Sequence, residues 1–126
     1  PDLKIVIEHL AGVGRDAQPP YTQYRKALEL ARYPNTYIKV PGLGEICPRP
    51  MPFKVPPFPQ VPETLKMAYD AFGPRRMMWG SDYPPVSGRE GYRNALQGVM
   101  DYPALSSQEA REWVMGKTAL SVFRFE

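Results

Sequence analysis

Histidine and cysteine are each used once in this sequence, and those scarcities narrow its chemistry before any pattern is read. The single cysteine, Cys47, excludes an internal disulfide and is compatible with a reducing cytoplasm. The single histidine, His9, excludes any metal site that needs a histidine pair from within the chain. No run of basic residues is longer than two, as in Arg75-Arg76, and the net charge of +3 is scattered, so neither a nucleic-acid nor a membrane partner is expected. No signal peptide and no apolar run near the length of a membrane span is present. No internal repeat stands out. What the chain does have is enough apolar residue, 43% of 126, for one domain with a modest core. Sixteen prolines are more than twice ordinary usage, which assigns them to long ordered loops. The opening Pro1-Asp2, directly before a strand and without an initiator Met, reads as a cut or processed start.

Three short β-branched or apolar runs predict strands: Leu3 to Glu8, Thr36 to Val40 and Arg76 to Gly80. Between them, Pro19-Pro20 leads into a helix with Tyr24, Ala27, Leu28 and Ala31 at helical spacing, broken at Pro34-Asn35. Leu10 to Asp16 reads as a glycine-bearing loop. Pro62-Glu63 opens a helix that Gly73-Pro74 ends, with Leu65, Ala68, Tyr69 and Phe72 on one face. A third helix carries Tyr92, Ala95, Leu96, Val99 and Met100. Ser106-Ser107-Gln108-Glu109 reads as a capping-box start for a fourth, with Gly116 just beyond its end and a last short helix from Thr118 to Phe125. The stretch 41–61 carries seven prolines and no periodicity, and its apolar residues predict an ordered lid.

Strands alternating with helices imply parallel pairing through right-handed crossovers, hence an α/β sheet. Three strands leave exposed edges and suggest part of something larger. In parallel α/β folds the site lies at the carboxyl ends of the strands. Those ends offer His9 after the first strand, the proline-rich loop after the second and Asp82 after the third. A carboxylate at the mouth of a buried strand is costly unless a cation, a metal or a proton-transfer partner meets it, although an Asp that merely caps a turn is the plainer reading of that stretch alone.

Ile5-Val6-Ile7-Glu8-His9, Tyr37-Ile38-Lys39-Val40-Pro41-Gly42-Leu43 and Met78-Trp79-Gly80-Ser81-Asp82-Tyr83-Pro84 resemble the later part of the amidohydrolase-related TIM-barrel hydrolases, the group holding fuconolactonase-like and pyrone-dicarboxylate lactonase-like enzymes. Lys117 to Phe123 is similar to that group's terminal helix, with Thr118 where Asn is commoner. The resemblance implies that residues 1–126 are the C-terminal portion, about three strands with their helices, of a TIM (β/α)8 barrel. It matches Asp82 to the strand-eight aspartate, which binds a divalent metal or takes a proton from the attacking water. It matches His9 to a later barrel histidine, a metal ligand or a polariser of the substrate carbonyl. The family's first-strand His-x-His pair has no counterpart here, and two ligands are too few for a catalytic zinc. A complete barrel needs about 250 residues, so the chain is expected to be a truncated or cleaved piece, without turnover by itself.

The expected activity is therefore hydrolysis of a lactone or cyclic ester, with Asp82 activating water and His9 holding the metal or polarising the carbonyl. The implied cofactor is a divalent metal, zinc before others, or none. The alternatives are a metal-dependent decarboxylase of the same fold and a non-catalytic fragment that pairs its strand edges with another chain. The expected partners are a small-molecule substrate and either the missing N-terminal half of the barrel or a second copy. Arg15, Lys39, Glu45, Arg49 and Arg89 lie in or beside the rim loops, where each taken singly reads first as a solvated charge. Glu45 and Arg89 are the exceptions, set among glycines after strands two and three, and are expected to bind substrate. Tyr83 stands between lining the pocket and packing the loop, whereas Trp79, Met77, Met78 and Cys47 read as core.

Overall fold

The computed structural model of the chain describes residues 3–14, 17–47 and 61–126. Arg15, Arg49 and residues 48–60 of the expected lid lie outside the described residues. Three strands, β1 (Ile5–Ile7), β2 (Thr36–Val40) and β3 (Met77–Trp79), form one parallel sheet in the order β1-β2-β3. Ile7 lies opposite Ile38, Ile38 opposite Met77 and Val40 opposite Trp79. Because side chains alternate along a strand, these residues share one face, and helices cover it.

That covered face holds the core. Ile38, Val40 and Met77 are buried beneath Leu65, Ala68 and Phe72 of the helix Glu63–Phe72, Val99 of the helix Tyr92–Met100, and Val114. The opposite face carries Val6, Tyr37 and Lys39, all half-buried. Tyr24, from the helix Thr22–Leu28, fastens that helix to the next by donating its hydroxyl to the Thr64 carbonyl at 3.0 Å. Burial pushes this phenol above its ordinary range. Arg76 ties off two chain reversals, donating to the carbonyls of Ala31 at 2.7 Å and Tyr33 at 3.0 Å.

Several expectations are corrected. β1 and β3 are shorter than their apolar runs. The first helix tightens into a 3₁₀ turn at Glu29–Arg32. The loop after β2 begins with a helical turn, Leu43–Ile46, whose Leu43 and Ile46 are buried. The loop after β1 contains a left-handed turn, His9–Gly12. The fourth helix starts one residue later than the capping box predicts, because Ser107 is the residue whose hydroxyl accepts the Ala110 N–H, at 3.1 Å. It also does not stop at Gly116. Gln108–Glu112 runs into a π-helical segment, Trp113–Lys117, and on into Thr118–Val122. Gly116 adopts no left-handed φ, so the freedom that makes glycine a helix stop goes unused. Gly73, with φ 68°, does use it and ends its helix as expected. No helix among the described residues is long and apolar enough to cross a membrane.

Candidate active site

The parallel register brings the carboxyl ends of all three strands to one rim, and there the backbone departs from ordinary geometry. His9 has φ 48° and Asp82 φ 55°, both in the left-handed region that non-glycine residues rarely enter. Leu10 and Ala11 follow His9 in the same conformation. Each such residue costs about 1–2 kcal/mol, and the cost persists only where the surroundings impose it. Fully buried Leu10 supplies that constraint after β1, since its side chain anchors the turn in the core. Asp82 is held through its carbonyl, which accepts the Val86 N–H at 3.1 Å. The two residues singled out by their place after the strands are thus also the two set in strained backbone at the strand ends.

His9 and Asp82 face one another across a small open hollow lined by Glu8, His9, Lys39, Val40, Pro41, Gly80 and Asp82. His9 Nδ1 lies 2.9 Å from Glu45 Oε1. An ionised carboxylate has no proton to give, so Nδ1 carries the hydrogen and donates it. In the neutral ring the lone pair is then on Nε2. That atom faces Asp82 Oδ1 and Glu8 Oε2, each at 4.0 Å. With the ring in that form three acceptors converge there, an arrangement that a proton on Nε2 or a bound cation satisfies. Lys39 supplies a positive charge at the edge, 2.8 Å from Glu8 Oε2.

Behind these groups lies Arg89, whose side chain is 9% exposed. Its Nη1 sits 3.8 Å from Asp82 Oδ2 and 4.0 Å from Glu45 Oε2. Its Nε and Nη2 fork onto the Glu90 carboxylate, which also accepts the Gly44 N–H at 3.2 Å. Glu45 Oε2 is buried and without a hydrogen-bond partner. Three carboxylates, Glu45, Asp82 and Glu90, thus meet one guanidinium and one imidazole, so negative charge exceeds positive whichever form the ring takes. A divalent cation fits that deficit. His9, Glu45 and Asp82 each offer a possible ligand atom, all within 4.8 Å of one another.

The structure therefore joins His9 and Asp82 as expected and adds Glu45 to them. Arg89 is brought in as well, although it faces the carboxylates of the site and is engaged by Glu90. Tyr83 is 66% exposed and does not line the hollow. Lys39, read as a solvated charge, lines it. Trp79 packs against the core and meets Tyr92 edge-on at 5.6 Å. Cys47 is buried, and burial together with the nearby Glu90 charge pushes its thiol up to about 12, which removes it as a nucleophile near neutral pH. Sequence reading missed Glu90 altogether. The signal for it was the Gly42-Leu43-Gly44 spacing, since a Cβ on either glycine would lie 2.4 Å from a Glu90 oxygen.

Comparison with known proteins agrees with this geometry. The amidohydrolase family model matches residues 1–125. An L-fucono-1,5-lactonase of Burkholderia ambifaria is 35% identical over 91 residues, which are 67% of this chain and 27% of that enzyme. A solved amidohydrolase of Burkholderia multivorans with bound zinc superimposes with a TM-score of 0.75 at 26% identity, over 94% of this chain and 43% of its own. A proposed 2-pyrone-4,6-dicarboxylic acid hydrolase of Pseudomonas putida superimposes with a TM-score of 0.72 at 21% identity, over 99% of this chain and 45% of its own. The chain spans less than half the length of each. Its three strands and their helices are part of a (β/α)8 barrel, and the rim that gathers His9 and Asp82 is the face on which such barrels carry their sites.

Proposed function

The chain belongs to the amidohydrolase family, and from that premise we propose that it supplies the water-activating side of a metal-dependent lactonase site. The observation that carries the proposal is the facing of His9 Nε2 and Asp82 Oδ1 at 4.0 Å, both on left-handed backbone. His9, through Nε2, and Asp82 would hold a divalent ion, zinc in the first place, with Glu45 orienting the ring and water or the other barrel units filling the remaining positions. When bound, that ion polarises the ester carbonyl and acidifies water. Glu45 keeps the proton on His9 Nδ1, so that Nε2 presents its lone pair to the hollow. Asp82, partly open to the same hollow, accepts the proton of the water that attacks the ring ester. The lactone class rests on the fuconolactonase and pyrone-dicarboxylate hydrolase likenesses. The remaining walls of the site would come from the other units of the barrel, and the chain alone would give no turnover.

Equilibrium dialysis against Zn²⁺ tests the ion site. One ion per chain is expected, lost in both Asp82→Asn and His9→Ala. A chain that takes up no zinc, or an Asp82→Asn variant that binds like the wild type, overturns the reading. Within a full-length barrel carrying these residues, sugar-acid lactones are expected to release acid, and Asp82→Asn to lower kcat at least ~100-fold. Carbon dioxide released from an aromatic acid instead would transfer the site to the decarboxylases.

A further inference from the structure

The oxygens of Glu45 and Asp82 are sorted. One of each pair, Glu45 Oε1 and Asp82 Oδ1, faces the imidazole of His9. The other of each pair, Glu45 Oε2 and Asp82 Oδ2, faces Nη1 of Arg89. A carboxylate rotates freely about its last bond unless something distinguishes its two oxygens. Here the distinguishing group is a single guanidinium nitrogen shared between both acids. We propose that Arg89, locked by Glu90, is a positioning residue that attracts the outer oxygens and so presents the inner oxygen of Glu45 to His9 Nδ1 and the inner oxygen of Asp82 to the bound cation. This deepens the reading of His9 and Asp82 as a cation site oriented by Glu45 and rests on it.

Glu90 makes the arrangement rigid. Its carboxylate is wholly buried, and Arg89 holds both of its oxygens through a two-pronged contact, the geometry in which a guanidinium loses least freedom. The Gly44 N–H fixes one of those oxygens from the other side, at 3.2 Å. Gly42 and Gly44 leave the space that the carboxylate fills, because a Cβ at either would lie 2.4 Å from it. A salt bridge this buried is weak evidence for stability, since both ions have lost their water. Fixing Nη1 between two acids of the site gives it a different use. Glu90 touches no group in the hollow and acts through Arg89 alone.

His9 is the chain's one histidine, so its ring nitrogens are read without ambiguity in ¹⁵N spectra. In the metal-free protein at roughly pH 8.5, above the ordinary imidazole range, the wild type is expected to show one tautomer, protonated on Nδ1. Arg89→Met, which frees Glu45 and Asp82 to rotate, is expected to show both tautomers and to bind Zn²⁺ ~10–100-fold more weakly. Glu90→Gln, which keeps the shape and weakens only the lock, is expected to change in the same direction by less. Circular dichroism confirms that each variant is folded, and if Arg89→Met does not fold, Glu90→Gln decides. A folded variant with the wild-type tautomer and zinc affinity overturns the positioning role and leaves the cation site standing. A wild type that binds no zinc removes the site itself, and this inference with it.

Discussion

The covered face of the sheet and the rim at the carboxyl ends of its strands obey different rules. Beneath the helices, Ile38, Val40 and Met77 are buried against Leu65, Phe72, Val99 and Val114, and Tyr24 and Thr118 find partners at the Thr64 and Pro74 carbonyls, although Trp79 Nε1 does not. At the rim, His9 and Asp82 adopt costly backbone, a buried oxygen of Glu45 has no hydrogen bond, and negative charge exceeds positive. The covered face makes the rim affordable in physical terms: strain of a few kcal/mol persists only on a scaffold that over-determines it. Stability and chemistry therefore occupy different parts of one small sheet, its helix-covered face and its carboxyl rim.

Three substitutions sharpen or break that contrast. Phe72→Ala is expected to be the most damaging, at about 3–5 kcal/mol in urea unfolding, because it empties a site packed on β2 and the Arg76 side chain. A loss below 1 kcal/mol there would mean that the helix face is not the stabilising one. Ser107→Ala removes the one side-chain cap of the fourth helix and is expected to cost about 1 kcal/mol, read by the same titration. Asp82→Asn is expected to change stability least, by under about 1 kcal/mol, since Asn accepts the left-handed backbone and Arg89 keeps Glu90 as its partner. Should it unfold the chain as readily as Phe72→Ala, the rim is structural and the contrast collapses.

Much of this was legible in the residues. Thr36–Val40 is found with the bounds its β-branched run and flanking Asn35 and Pro41 predict. Glu63–Phe72 follows from a proline before it, a glycine after it and apolar spacing between. The meeting of His9 and Asp82 follows from parallel pairing alone, which puts both strand ends on one side. The left-handed turn at His9 was hidden because Leu10 and Ala11 have no local preference for it; tertiary burial of Leu10 imposes it. Glu90 was hidden for the opposite reason. Arg89-Glu90 looks like an exposed charge pair, and only the cleft beside Gly42 and Gly44 turns it inward. Gly116 misled because a glycine near a helix end is read as a stop, whereas the helix here widens and continues.

That widened turn makes the chain sensitive to length as well as to the side chain of Val114. The segment Trp113–Lys117 packs against β3, and the residue that follows it, Thr118, is fully buried with its hydroxyl on Pro74. Exchanging side chains within the segment leaves the angular phase of everything downstream intact. Deleting a single residue would instead swing the tail by roughly 100° about its own axis, carrying Thr118 off its acceptor and withdrawing the brace behind the strand that delivers Asp82. A one-codon loss far from the hollow would thus reach the site from the back of the sheet.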